Sequence, residues 1–196
     1  MFLVAGLGNP GEEYANSPHN LGFRVIDRLA EVHGIRVTRK DSRALVGMGE
    51  IAGQPVMLAK PQTFMNLSGG AVKPLMEKHS LSVADLILVY DELDLPWGEI
   101  KIKAQGSSAG HNGVESVISS LGTKEFTRVR LGVSPGHPVS DGAAYVLAPI
   151  RRSQRKESDQ LVARGAEAVG SIIAEGVAKS MTIFNRRAQG SKTEEE

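Results

Sequence analysis

The sequence predicts an α/β fold: a single three-layer domain with a mixed β-sheet flanked by helices. Three observations carry this. Short apolar runs of strand character alternate with stretches whose apolar residues recur at helical spacing. Two strand-like runs, 44–51 and 55–59, meet across the Gly53-Gln54 turn as a hairpin, so part of the sheet is antiparallel. The chain has 196 residues, 41% of them hydrophobic, with no internal repeat and no linker rich enough to divide it. A chain of this length buries roughly 70% of its unfolded surface and needs no staples. The domain is expected over 1–187, with 188–196 as a polar, disordered tail.

Each element has its own reason. Residues 2–7 are apolar and close at Gly8-Asn9-Pro10-Gly11, as a buried strand running into a turn does. Leu21, Val25, Leu29 and Val32 mark a helix that Gly34 ends. After the hairpin, Ala71, Val72, Leu75, Met76 and His79 mark a short helix, in which Pro74 must fall in the first turn or bend the axis. Residues 85–90 form a strand that ends in the acidic Asp91-Glu92-Leu93-Asp94. Ile100 and Ile102 alternate with Lys101 and Lys103, a half-exposed strand with its basic face outward. A small-residue loop over 105–110 precedes a helical stripe of Val114, Val117, Ile118 and Leu121, stopped by Gly122. Residues 128–133 alternate basic and apolar as another strand, and 134–139 turn the chain. Leu161, Val162, Val169, Ile172 and Ile173 organise a long C-terminal helix.

Composition narrows the chemistry. With no cysteine there is no disulfide scaffold, thiolate zinc site, iron–sulfur site or cysteine nucleophile. The longest apolar runs, such as 86–90, fall far short of the ~20 residues of a membrane span. No basic segment precedes the apolar start, so no signal peptide is expected, and the expected location is cytoplasmic. The net charge of +1 is uninformative, but basic residues cluster at 36–43, 101–103, 124–130, 151–156 and 186–187. There is no Gly-x-Ser-x-Gly elbow and no Walker A loop. Gly6-Leu7-Gly8-Asn9-Pro10-Gly11 begins like a dinucleotide fingerprint, but its spacing is wrong and Pro10 lacks the N–H a phosphate cradle uses. None of the five histidines pairs with another at i, i+4, so no metal and no cofactor are expected.

Acid–base chemistry by a lone histidine remains. Ligands of α/β sheets bind beyond the carboxyl ends of strands, where Asn9, Asn66 and Asp91 are expected. His19 lies close to the first of these ends, just before a helix. A neutral imidazole there can take a proton from water when a carboxylate orients it, although a histidine in that place can equally serve a turn or cap. Asp91 is the first choice of orienter, with Glu92 and Asp94 as competitors. His33 and His79 sit near helix ends, where a structural role suffices, and His137 lies in a Pro-flanked turn. Asn9, Asn66 and Asn112, each among small residues, can hold a carbonyl, a peptide N–H or a water without changing charge, and each can also satisfy a turn or cap.

Gly8-Asn9-Pro10-Gly11, Tyr14, His19-Asn20-Leu21-Gly22, Thr63-Phe64-Met65-Asn66-Leu67-Ser68-Gly69, Asp91-Glu92-Leu93-Asp94-Leu95-Pro96 and Gly110-His111-Asn112-Gly113 resemble, in order and over nearly the whole chain, the bacterial peptidyl-tRNA hydrolases. The resemblance implies a monomeric enzyme that cleaves, without metal, the ester joining a peptide to the terminal ribose of tRNA. It implies His19 as the general base, Asp91 as its orienting partner, and Asn9 and Asn66 as holders of the peptide and ester region. Tyr14, Met65, His111 and Asn112 would line the site, and Lys103 and Arg130 would grip phosphate near the acceptor end. If the two basic strands are adjacent, Lys101, Lys103, Arg128 and Arg130 share one face, a track for an RNA backbone. Two departures from the family pattern are the glycine-poor stretch 105–109 and Pro18 directly before His19. A non-catalytic RNA-binding adaptor and an unrelated small esterase are the alternatives.

Overall fold

The computed structural model describes residues 1–185; Arg186, Arg187 and the tail over 188–196 lie outside the described residues. In chain order the strands are β1 (Phe2–Gly6), β2 (Arg39–Asp41), β3 (Ala44–Ile51), β4 (Gln54–Pro61), β5 (Leu86–Pro96), β6 (Ile100–Lys103) and β7 (Thr127–Ser134). The helices are α1 (Leu21–His33), α2 (Gly69–Lys78), α3 (Asn112–Leu121), α4 (Gly142–Leu147), α5 (Arg155–Glu175) and α6 (Val177–Phe184).

β1 is the centre of one mixed sheet ordered β2-β3-β4-β1-β5-β7-β6. It runs parallel to β4 and β5, and β5 runs parallel to β7. β2, β3 and β6 run antiparallel to their neighbours. Alternation along the strands sends side chains to two cores. Val4, Val56, Leu58, Ile87, Val89, Val129 and Leu131 pack with α1, α5 and α6. Leu3, Ala5, Met57, Ala59, Leu88 and Tyr90 pack with α2 and α3. The expected three-layer α/β domain is the observed one, and the hairpin is β3–β4.

The connections place the site. From β1 the chain leaves through α1 to the β2–β4 side, then returns through α2 to β5 on the other flank of β1. This reversal opens a crevice beyond the carboxyl end of β1, where open α/β sheets bind ligands. α1 reaches the rim closely. A Cβ on Gly22 would stand 2.5 Å from the Val89 carbonyl oxygen and the Leu7 nitrogen, so only glycine lets the start of α1 dock there.

Several elements depart from the sequence expectation. β5 does not end at Tyr90 but runs to Pro96, because β7 continues to pair with it through Glu92. Of the two places open to Pro74, the structure takes the second: it lies inside α2, beyond the first turn. β2, α4 and α6 carried no expectation; they are short, and they fold because the β3 edge, the crevice and α5 give them surfaces to cover. Among the described residues no helix is long and apolar enough to cross a membrane.

Candidate active site

His19 sits in a single 3-10 turn, Pro18–Asn20, that leads into α1. Pro18 takes the first position of that turn, where its missing N–H costs nothing, so the departure from the family pattern fits the local backbone. Asn20 fixes the other side: its Nδ2 donates to the Asn9 carbonyl at 2.9 Å, and its Oδ1 accepts from the Asn9 N–H at 2.8 Å.

The side chain of Asp91 is 2% exposed and accepts from two histidines. His19 Nδ1 lies 2.8 and 2.9 Å from its two oxygens, and His111 Nε2 lies 2.9 Å from Oδ1. Burial opposes charge on Asp91, but the two histidines outweigh it and hold the carboxyl well below the usual carboxylate range. Asp91 therefore stays ionised. His111 caps α3, its Nδ1 accepting from the N–H groups of Gly113 and Val114 at 3.1 and 3.3 Å. That assigns the proton of neutral His111 to Nε2, donating to Asp91. For His19 the same logic places the proton on Nδ1 and leaves Nε2 as a lone pair.

The structure thus joins three metal-type donors that are far apart in sequence, which the absence of i, i+4 pairs did not anticipate. The hydrogen bonds argue against a metal here. With Nδ1 of His111 already accepting backbone N–H groups, a metal on Nε2 would require an imidazolate, and it would also displace the proton through which Asp91 is held.

A cavity of about 580 Å³ opens beside this triad. Asn9, Tyr14, His19, Met65, Asn66, Asp91, His111 and Asn112 all line it. Asn9 Oδ1 accepts from the Met65 N–H at 2.8 Å, which orients the Asn9 amide and turns its Nδ2 toward the open space. Met65 is tightly packed: a Cβ on Gly113 would stand 2.4 Å from its sulfur. The wall opposite comes from α4, through Ala143, Val146 and Leu147. Tyr145 anchors α4 by donating to the Val133 carbonyl at 2.7 Å. Asp141 before an apolar run is an N-cap pattern legible in the sequence, and its carboxylate accepts from the Ala144 N–H.

The carboxylate competitors separate by strand geometry. Adjacent residues of β5 face opposite ways, so Glu92 points away from His19 and pairs with Arg130, while Asp94 is exposed at the rim. The four cations do share a face, with Lys101 opposite Arg130 and Lys103 opposite Arg128 across β6 and β7. They do not form a four-cation exposed track. Arg128 is 1% exposed, and its guanidinium donates to the carbonyls of Phe126, Lys124, Gly106 and Ser107. A guanidinium spent on four carbonyls holds a loop and does not meet solvent phosphate. Arg130 is also buried, against Glu92. Lys101 is exposed and Lys103 half-exposed, and the positive charge of Arg130, together with partial burial, lowers the Lys103 pKa.

A histidine held by a buried carboxylate and faced by the Asn9 amide, beyond the switch point of a mixed α/β sheet, is an arrangement able to hold and move a proton beside a bound ligand. Comparison with known proteins makes the class specific. The family model for peptidyl-tRNA hydrolase matches residues 3–194. Peptidyl-tRNA hydrolase of Solibacter usitatus is 66% identical over 195 residues, covering 100% of both chains, and that of Koribacter versatilis is 48% identical, covering 96% of this chain and 94% of its own. The crystal structure of peptidyl-tRNA hydrolase from Acinetobacter baumannii superimposes with a TM-score of 0.87 at 31% identity, covering 94% of each chain. The chain belongs to the peptidyl-tRNA hydrolase family.

Proposed function

We propose that the chain hydrolyses the ester between a peptide, or an N-blocked aminoacyl group, and the terminal ribose of tRNA by general-base catalysis without a metal. The observation that carries this is the Asp91–His19 pair, which leaves His19 Nε2 as the free acceptor at the mouth of the cavity. Nε2 takes a proton from water as the water oxygen attacks the ester carbonyl. The tetrahedral oxyanion forms among amide donors, and collapse returns the proton to the departing ribose oxygen. Asn9, oriented by Met65, with Asn66 and Asn112 hold the peptide and ester region, and Tyr14, Met65 and His111 shape the cavity. Lys101, Lys103 and the free edge of Arg130 receive the phosphates of the acceptor end.

The products are free tRNA and peptide, as recycling of peptidyl-tRNA dropped from ribosomes requires, and the enzyme acts as a cytoplasmic monomer. The test is hydrolysis of N-acetyl-aminoacyl-tRNA with a chelator present. Wild type is expected to cleave and His19→Ala to be inert while still binding tRNA. Loss of wild-type cleavage on chelation overturns the metal-free mechanism, and a turnover-competent His19→Ala overturns the assigned base.

A further inference from the structure

Glu92 has no part in the chemistry above, yet it is 3% exposed and carries its carboxylate next to Asp91 in β5. A buried carboxylate is costly to retain unless its partners repay it. Here Oε2 meets both Nε and Nη2 of Arg130 at 3.1 Å, and Oε1 accepts from the Asp94 N–H at 3.2 Å. Glu92 therefore grips one side edge of the guanidinium. The Nη1 end is left without a hydrogen bond to protein among the described residues. Arg130 stands diagonally from Lys103 on the shared face of β6 and β7; its positive charge lowers the Lys103 pKa, whereas the negative charge of Glu92 raises it.

We propose that Glu92 is a positioning residue for substrate: it anchors Arg130 by one edge and offsets part of its charge, so that Arg130 and Lys103 serve together as a phosphate-binding pair on the β6–β7 face. The inference rests on the reading above that these cations meet tRNA phosphate. Because Glu92 and Asp91 face opposite sides of β5, Glu92 acts on binding through Arg130 and not on the base.

The test compares two substrates, N-acetyl-aminoacyl-tRNA and the N-acetyl-aminoacyl ester of adenosine, which lacks phosphate. Glu92→Ala is expected to raise KM for the tRNA ester about tenfold, with kcat within twofold of wild type. Glu92→Gln, which keeps an acceptor for Arg130 and the volume of the core, is expected to raise it about threefold. Neither is expected to change turnover of the adenosine ester. In an Arg130→Ala background the Glu92 effect is expected to vanish. Equal losses on both substrates overturn the proposal, because Glu92 then acts through Asp91 or the fold. Tighter tRNA binding by Glu92→Gln also overturns it, because Glu92 is then a competitor of phosphate. If Lys103→Ala and Arg130→Ala leave the tRNA KM unchanged, the phosphate reading itself fails. If they raise it while both Glu92 variants behave as wild type, that reading survives and the role of Glu92 does not.

Discussion

Asn20 holds Asn9 by both ends of its amide, donating to the Asn9 carbonyl at 2.9 Å and accepting from the Asn9 N–H at 2.8 Å. The residue next to His19 thus fixes the loop that carries Asn9, and Asn9 in turn holds Met65 through its side-chain oxygen. Asn20→Asp keeps the acceptor and replaces the donor with a second oxygen facing a carbonyl. It is expected to cost about 2 kcal/mol of stability and to lower kcat about tenfold or more through a misplaced Asn9. Thermal melts and steady-state kinetics check both, and an unaltered kcat would detach Asn20 from the site.

His111 gives Asp91 its second hydrogen bond and caps α3. His111→Ala removes both. The cap loss is expected to cost about 1 kcal/mol, and the Asp91 carboxyl is expected to move back up toward its ordinary range. Wild-type rate against pH is expected to show one rising limb, since Asp91 stays ionised throughout the range in which histidine titrates. In His111→Ala a second acidic limb should approach it. A profile of unchanged shape would assign ionisation of Asp91 to His19 alone.

Arg128 and Lys101 lie on the same face of the β6–β7 ladder but should behave oppositely. Arg128→Ala leaves the carbonyls of Phe126, Lys124, Gly106 and Ser107 without their donor, and is expected to cost about 3 kcal/mol and loosen the loop before His111. Lys101→Ala is expected to leave the melting temperature unchanged and to reduce the salt dependence of tRNA binding by roughly one counterion. Denaturant unfolding and binding isotherms across salt separate the two.

Asp41 ends β2 and is gripped at the far end of the sheet by Lys78 at 3.0 Å and His79 at 3.1 Å. Burial alone would push its carboxyl up, but hydrogen bonds from His79, Lys78 and Ser42 bring it down from 3.8 to about 2. The sign follows from linkage. Depression of the folded-state value gives stability that is present above 3.8 and is lost as pH falls toward 2. Asp41→Asn is expected to melt lower than wild type at neutral pH and to lose less on acidification through that window. Parallel curves of melting temperature against pH would remove Asp41 from the acid response.

Ala109 adopts φ 49° in the glycine-poor loop before His111, a conformation that costs an L-residue roughly 1 kcal/mol. Ala109→Gly relieves that strain at some cost in unfolded-state entropy, so a gain of about 0.5 kcal/mol is expected. A loss of stability, read by denaturant unfolding, would show that the alanine methyl makes a contact worth more than the strain.

Residue types and their spacing determined most of the elements, and they, with the family resemblance, marked Asn9, Tyr14, His19, Met65, Asn66, Asp91, His111 and Asn112 of the cavity lining. Leu21, Val25 and Leu29 state a helix by themselves, and Asn9, Asn66, His111 and Asn112 stand in motifs whose order along the chain is visible without a fold. Local patterns are legible because they arise from short-range sterics and periodic burial. Partnership is not. That Asp91 rather than Glu92 meets His19 depends on which face of β5 each occupies and on β1 ending where it does, across 72 residues of chain. Arg128 and Arg130 read as solvent-facing cations in an alternating strand, yet β7 pairs on both sides, the loop that Arg128 holds covers that arginine, and Glu92 pairs with Arg130. α4 became a wall of the cavity because β7 offers Tyr145 a carbonyl and the 3-10 turn that carries His19 packs against the helix. Tertiary structure decided these points, because whether a charge is buried, paired or free is set by neighbours that folding brings together, not by the residues beside it in the chain.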